Sequence, residues 1–362
     1  MSSISSVIQE LGGKERLVTV LQSNLLWIKQ SFKVNNNLGS SGIRSLKGSW
    51  GDVYPETTGY LVPTLHKLGL FLGDEEACEL AIHQLAYFES IQNEDGSFYQ
   101  SNDNQRPILF DTAQILEGLH YLAHTVQKSK PVLKMTIQAV DWLGKQLDKE
   151  GNFTDYQYVA NYNPAYHSRV AWKMASAELI KYSKPRTKTK ALIDRIAELQ
   201  NENKTYKNWG FEAGAPAFSH TVAYTLRGLW ECADITHNRK LRKSVLKSIT
   251  ELAKSIDENG VAGSYDNNWQ GDYGFLCAAG NAQLAILFTS VYRYSGDKKF
   301  LDLLSPLLQP LLKAQRSKLI HRGAIPSSIP MRGAYQRFKY TNWTQKFFCD
   351  AILGLFDEIG SR

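Results

Sequence analysis

One block recurs about every 55 to 65 residues along the chain. Each copy carries an apolar helical stretch, then an amphipathic one, then a Gln- or Asn-rich segment closing on Gly and an aromatic. The closers read QNEDGSF (92–98), KQLDKEGNF (145–153), LQNENKTYKNWGF (199–211) and SIDENGVAGSY (255–265), with AQRSKLIHRGAI (314–325) as a looser fifth. A fixed period of this length means that one supersecondary unit is stacked repeatedly, each copy burying its neighbour's apolar face.

Apolar residues at i, i+3, i+4 and i+7 predict helices near 55–73, 109–126, 164–182, 218–235, 276–294 and 341–358. ILFDTAQILEGLHYLA and GNAQLAILFTSVYRY carry little charge on any face, as helices buried all round do. Charged, one-faced segments alternate with them at 74–92, 130–147, 186–200, 239–256 and 297–314. Segment 14–32 has the same outer character and is placed to pair with the last inner helix, closing a ring. The expected fold is therefore all-α: a toroid of six helical hairpins, (α/α)6, read as a single domain over 1–362. The repeat crosses any midpoint, and no Pro/Ser/Gly-rich linker interrupts it. Short strands are expected only near 261–266 and 322–331. The closers resemble the QxxDGxW-type turns of α/α toroids, in which Gln and the aromatic tie successive hairpins together.

Composition narrows the function. The net charge of +7 is spread widely, and its densest run, KYSKPRTKTK (181–190), reads as a solvated face. No nucleic-acid motif accompanies it. The apolar runs are too short to span a bilayer, so the protein is not expected in a membrane. The start MSSISSVIQELGGKER has no secretory pattern, and the four cysteines are widely spaced, which together suggest a reduced, cytoplasmic setting. Phosphate loops, HExxH, GxSxG and Cys/His arrays are missing from the sequence, so no cofactor or metal is expected. The Asp-rich motifs of isoprenoid cyclases are missing too.

Aligning the inner helices by their starts brings polar residues into one layer: Glu56, Asp111, Tyr166-His167-Ser168-Arg169, Ser219-His220, Asn281 and Asn342. In a ring all six starts face one mouth, and convergent polar groups in a hollow are the expected look of a ligand pocket. Asp at a helix start also complements the helix dipole, and for Asp111 and Glu56 that bland role competes with catalysis. A cationic residue there has no such explanation, which singles out Arg169 and, when protonated, His167 and His220. The entering loops add Trp50, Asp52, Tyr162, Trp209, Glu212, Asp272, Arg332 and Tyr335 as candidate binding residues. Aromatic faces beside carboxylates and Arg suit sugar rings and their hydroxyl or carboxylate groups.

Paired carboxylates permit general acid/base hydrolysis if one is held protonated. Glu56 and Asp111 are the first pair, with Asp52 and Asp272 in reserve. Tyr166, His167 and Arg169 suggest proton abstraction beside a uronate carboxylate instead, giving a lyase or epimerase. His220 joins the candidate catalytic set, and Arg332 is a second carboxylate clamp.

The segments ETTGY…PTL (56–65), FDTAQIL (110–116), YHSRVAW (166–172), GNAQLAI (280–286), RGAIPSSIP (322–330) and NWTQKFFCDAIL (342–353) resemble a family of α/α-toroid proteins. These are commonly encoded with bacterial surface-polysaccharide genes and described as terpene-cyclase-like or six-hairpin glycosidase-like. A more distant similarity is to unsaturated glucuronyl hydrolases, whose catalytic Asp sits at an inner-helix start, as Asp111 does. The resemblance implies a carbohydrate-active enzyme on an acidic, uronate-containing saccharide: a glycoside hydrolase, polysaccharide lyase or epimerase. A non-catalytic glycan-binding or assembly module, and an isoprenoid-type toroid, are the alternatives. Sugar, linkage and oligomeric state are not written in the sequence.

Overall fold

The computed structural model describes residues 3–101, 104–125, 130–258, 260–317 and 319–360. Its helices run in the order α1 (Ile4–Glu10), α2 (Lys14–Lys33), α3 (Pro55–Leu72), α4 (Glu75–Ile91), α5 (Leu109–Thr125), α6 (Lys130–Lys145), α7 (Ser168–Glu178), α8 (Thr187–Ala197), α9 (Ser219–Ile235), α10 (Arg239–Ala253), α11 (Ala278–Ser295), α12 (Lys299–Asp302), α13 (Leu304–Ala314) and α14 (Asn342–Gly360). Helices α3, α5, α7, α9, α11 and α14 form the inner ring, each packed against the next, and α14 returns to α3. The outer layer is α2, α4, α6, α8, α10 and α13. Helix α2 packs against both α14 and α3, so the N-terminal orphan does close the circle. Buried apolar side chains from all six hairpins join in one continuous cluster.

Sequence periodicity located every inner and outer helix, with two departures. The third inner helix is short because Pro164 opens a 3-10 turn, Ala165–His167, where a first α-turn was expected. The last outer segment splits at Leu303 into α12 and α13. Helix α1 was not anticipated.

Inner helices approach one another closely. A Cβ on Gly59 of α3 would lie 2.4 Å from the Ile115 Cα of α5, so the backbones pack directly. The closers work as joints. Gln92 donates its amide to the Met135 carbonyl of α6 (3.0 Å), Gln200 to the Ser244 carbonyl of α10 (3.0 Å), and Gln315 to the Val20 carbonyl of α2 (3.1 Å). Each Gln thus ties its own turn to the next outer helix, and Gln315 seals the ring. Gly323, at φ +86°, sits against α2 so tightly that a Cβ would fall 1.9 Å from the Ser23 carbonyl oxygen. We expect Gly323→Ala to cost about 2 kcal/mol or more, through strained backbone and a lost joint, read as a lowered chemical-denaturation midpoint. A midpoint within about 0.5 kcal/mol of wild type would show that the seal is slack.

Short strands dress the N-terminal mouth: Ile43–Ser45 pairs with Lys339–Thr341, Ala217–Phe218 with Ser264–Tyr265 and then Gly271–Asp272, and Leu276–Cys277 with Ser328–Ile329. They hold the loops that bring aromatic residues over the ring. No described helix is long and apolar enough to cross a membrane.

Candidate active site

A cavity of about 350 Å³ opens at the N-terminal mouth of the ring. Six tyrosines (Tyr54, Tyr60, Tyr158, Tyr166, Tyr224, Tyr335), with Phe110, Phe211 and Trp343, form its walls, and Glu56, His220, Glu212 and Gln336 supply polar groups. Each inner helix turns about 100° per residue, so only one side chain of a polar triplet faces the axis. At the start of α3 that residue is Glu56. Tyr60 follows four positions on, on the same face, and the same spacing puts Tyr224 below His220 on α9.

Glu56 is 5% exposed. Its Oε2 accepts from the Thr57 hydroxyl (3.2 Å), which also contacts the Tyr60 hydroxyl (3.2 Å). Burial, and secondarily the neighbouring Asp111 charge, raises the Glu56 carboxyl well above its ordinary range. Asp111 is wholly buried, one layer behind the wall. Its Oδ1 accepts from the Tyr158 hydroxyl, which in turn contacts the Tyr54 hydroxyl (2.8 Å), and its Oδ2 has no partner. Burial pushes Asp111 up to about 7, against the hydrogen bond from Tyr158. The two carboxyls therefore form an electrostatically coupled pair of which only Glu56 faces the cavity.

His220 is held neutral. Burial, assisted by the Arg169 charge, lowers it to about 3. Its Nδ1 lies 2.8 Å from the Gln283 amide nitrogen, which also donates to the Ala279 carbonyl (3.2 Å). That carbonyl fixes the amide orientation, so Nδ1 accepts and Nε2 carries the proton.

Of the residues picked from sequence, Glu56, Tyr166, His220, Glu212 and Tyr335 line this cavity, and Asp111 adjoins it. The others need correction. His167 turns outward: it packs edge-on against Phe153 and lines a separate small cavity that also holds Tyr162, whose hydroxyl donates to the Gly210 carbonyl (3.0 Å). The late start of α7 rotates His167 off the axis. Arg169 is 1% exposed and lies beneath the floor, donating to Gln114 (2.5 Å) and Glu117 (2.8 Å). It is a structural cation, not a substrate clamp. Trp50 packs at a tilt against Trp27 (4.7 Å between ring centroids), and Trp209 is core beside Tyr206 and Trp269. Asn281 bonds the Leu307 carbonyl (3.3 Å), and Asn342 bonds Ser41 and Trp27, so both serve as ring joints. Asp52, Asp272 and Arg332 are exposed and do not line the cavity.

We expect His167→Ala to leave kcat and KM within about threefold of wild type, and to act on stability alone. A hundredfold loss of kcat would return His167 to the site.

Sequence reasoning missed Tyr54, Tyr158, Phe110 and Phe211, which reach the cavity from loops or wall positions with no periodic signal. Tyr60 and Tyr224 could have been found from their i+4 spacing to Glu56 and His220.

No protein-family model and no curated protein matches this chain. Several solved structures do. An unsaturated glucuronyl hydrolase specific for heparin superposes with a TM-score of 0.76 at 12% identity, covering 97% of this chain and 99% of its own. Cellobiose 2-epimerase from Bacillus thermoamylovorans gives 0.74 at 14% identity, covering 96% of this chain and 100% of its own. A D-mannose isomerase gives 0.69 at 12% identity, covering 88% and 92%. At these identities the likeness establishes the six-hairpin architecture, the fold expected from the repeat.

Proposed function

We propose that this chain is an enzyme that acts on a saccharide bound in the aromatic cavity, with Glu56 as the proton donor. The observation that carries the reading is a buried carboxyl, Glu56, that lines a tyrosine-walled hollow. Burial and the Asp111 charge both favour the acid form of Glu56, which is the state a general acid needs near neutrality. Tyrosine and tryptophan faces suit the C–H surfaces of a pyranose. Asp111, bonded to Tyr158, acts as a positioning residue: it sets the Glu56 proton affinity and orients the phenol. Protonation of a glycosidic oxygen by Glu56, with water attacking the anomeric carbon and passing its proton back to the Glu56 carboxylate so formed, is the chemistry this arrangement serves best. That the similar structures named above include a glucuronyl hydrolase, an epimerase and an isomerase agrees with saccharide chemistry on this scaffold.

The bound ring is neutral in this reading. Among the described residues neither Lys nor Arg lines the cavity, so a uronate carboxylate would meet Glu56 and Glu212 without a counter-charge. All four cysteines are free, three of them buried, which supports a reducing, cytoplasmic compartment.

A second reading, sugar isomerisation or epimerisation, rests on His220. A neutral imidazole presenting Nε2–H can polarise a carbonyl oxygen while a carboxylate moves a proton.

The test is incubation with neutral and uronate-containing oligosaccharides, in water and in D2O, followed by mass analysis. Gain of one water marks hydrolysis, and unchanged mass with deuterium uptake marks isomerisation or epimerisation. Saturable binding without any product would make the protein a glycan-binding module. Neither binding nor product would overturn the proposal.

A further inference from the structure

The larger hollow of this protein lies at the other end of the ring. A cavity of about 740 Å³ opens among the C-terminal halves of the inner helices and shares no lining residue with the aromatic cavity. Its deep wall is charged. Glu117 of α5 is contacted by Arg169 (2.8 Å), Lys173 (3.0 Å) and Lys346 (3.6 Å), and Lys346 also pairs with Asp350 (2.5 Å).

Arg227 of α9 stands apart from these pairs. Among the described residues no carboxylate lies within ion-pair distance of it, although Glu231 is close enough to bear on its charge. Its Nε is buried with no hydrogen-bond partner. Its guanidinium sits 5.0 Å from the Trp172 ring centroid, and the Lys173 ammonium shares that ring at 3.1 Å. Cations thus outnumber acids at depth: Arg169, Lys173, Arg227 and Lys346 face Glu117, Asp350 and Glu231. A buried excess of positive charge is costly unless an anion joins it. Burial, with Arg169 and Arg227 adding to it, already holds Lys173 well below the usual lysine range despite Glu117 beside it.

We propose that this cavity binds a phosphate monoester of a sugar or nucleoside, with the phosphoryl group seated between Arg227 and Lys173. A guanidinium fork beside an ammonium is the donor set that phosphate oxygens accept from. The organic part has a place as well. Trp230, Tyr121, Tyr294 and His120 wall the outer cavity, whose volume exceeds what a phosphate ion fills. Of the outer cations, Arg242 pairs with Asp234 (2.5 Å) and Arg293 with Glu358, while Lys67 lies over the Tyr121 ring at the exposed rim. The buried donor left without a partner, Arg227 Nε, thus lies where the ligand would end. Arg169 spans the two ends, bonding Glu117 below and lying 4.8 Å from the Tyr224 ring of the aromatic cavity.

Calorimetric titration of the full chain with glucose 1-phosphate, adenosine monophosphate, inorganic phosphate and glucose, at constant ionic strength, tests this. Saturable binding of at least one of the two esters is expected, at least tenfold tighter than inorganic phosphate, and any glucose binding, at the aromatic cavity, should be unchanged by Arg227→Gln. The ester that binds more tightly identifies the organic part. Arg227→Gln should weaken that binding at least tenfold, Arg227→Lys should retain most of it, and Glu56→Gln should leave it unchanged. Failure of both esters to bind, binding of inorganic phosphate as tight as either ester, or undiminished binding by folded Arg227→Gln would each overturn the proposal. Because binding is read directly, the result stands apart from whether the aromatic cavity is catalytic.

Discussion

Glu56→Gln is expected to lower kcat by about 10²- to 10⁴-fold on any saccharide the protein turns over, with KM little changed. Gln keeps the shape of the side chain and an oxygen for the Thr57 hydroxyl, so stacking against the tyrosines survives while proton donation does not. Asp111→Asn should behave differently. Asn still accepts from Tyr158, but the charge that helps raise Glu56 is gone. The alkaline limb of the pH–rate profile, where Glu56 loses its proton, should move to lower pH.

The same variant should be more stable than wild type at alkaline pH. Asp111 is raised from 3.8 to about 7 on folding, so between those values the folded chain holds a proton that the unfolded chain releases. Wild-type stability therefore falls as pH rises through that window. Relieving this should gain on the order of 1–4 kcal/mol above about pH 7, and little near pH 4. Thermal unfolding at pH 5 and pH 8 reads the difference. An Asp111→Asn midpoint equal to wild type at both pH values would mean that Asp111 is not strained by burial.

The second large effect is expected at Glu117. Burial opposes its ionisation, but Lys173, Lys346, Arg169 and Arg227 outweigh burial and hold its carboxyl well below the usual range. Glu117→Gln leaves these cations facing one another, with Asp350 beside Lys346 and Glu231 near Arg227 as the remaining acids. Removing one partner from a buried ion cluster typically costs about 3–5 kcal/mol. A fall of several degrees in the thermal midpoint, and of that size in denaturant stability, is the expected reading. A loss below about 1 kcal/mol would show that water reaches and screens the cluster.

The fold was legible because its cause is local and repeated. Each inner helix is apolar all round, each outer one is one-faced, and Gln92, Gln200 and Gln315 recur at the joints with the aromatic or Gly that follows them. The site was legible only in part. Glu56 and His220 fall at helix starts, and helical geometry aims both at the axis. His167 sits at the matching sequence position, yet Pro164 delays its helix and turns it away. Arg169 and Asn342 carry polar groups into the ring and spend them on neighbours, as buried polar groups generally must. Tyr158 and Phe211 come from loops whose paths depend on distant strand pairings, such as Ala217–Phe218 with Ser264–Tyr265, and no local pattern announces them.

Arg169 and the acid beneath it also stop up the middle of the ring. A polymer could not thread from one side of the molecule to the other, and whatever enters the tyrosine-lined hollow must back out the way it came. If the proposed saccharide binds there, such a blind recess would admit the terminus of a glycan, so that sugar units would be processed singly from an end rather than by cuts within the chain.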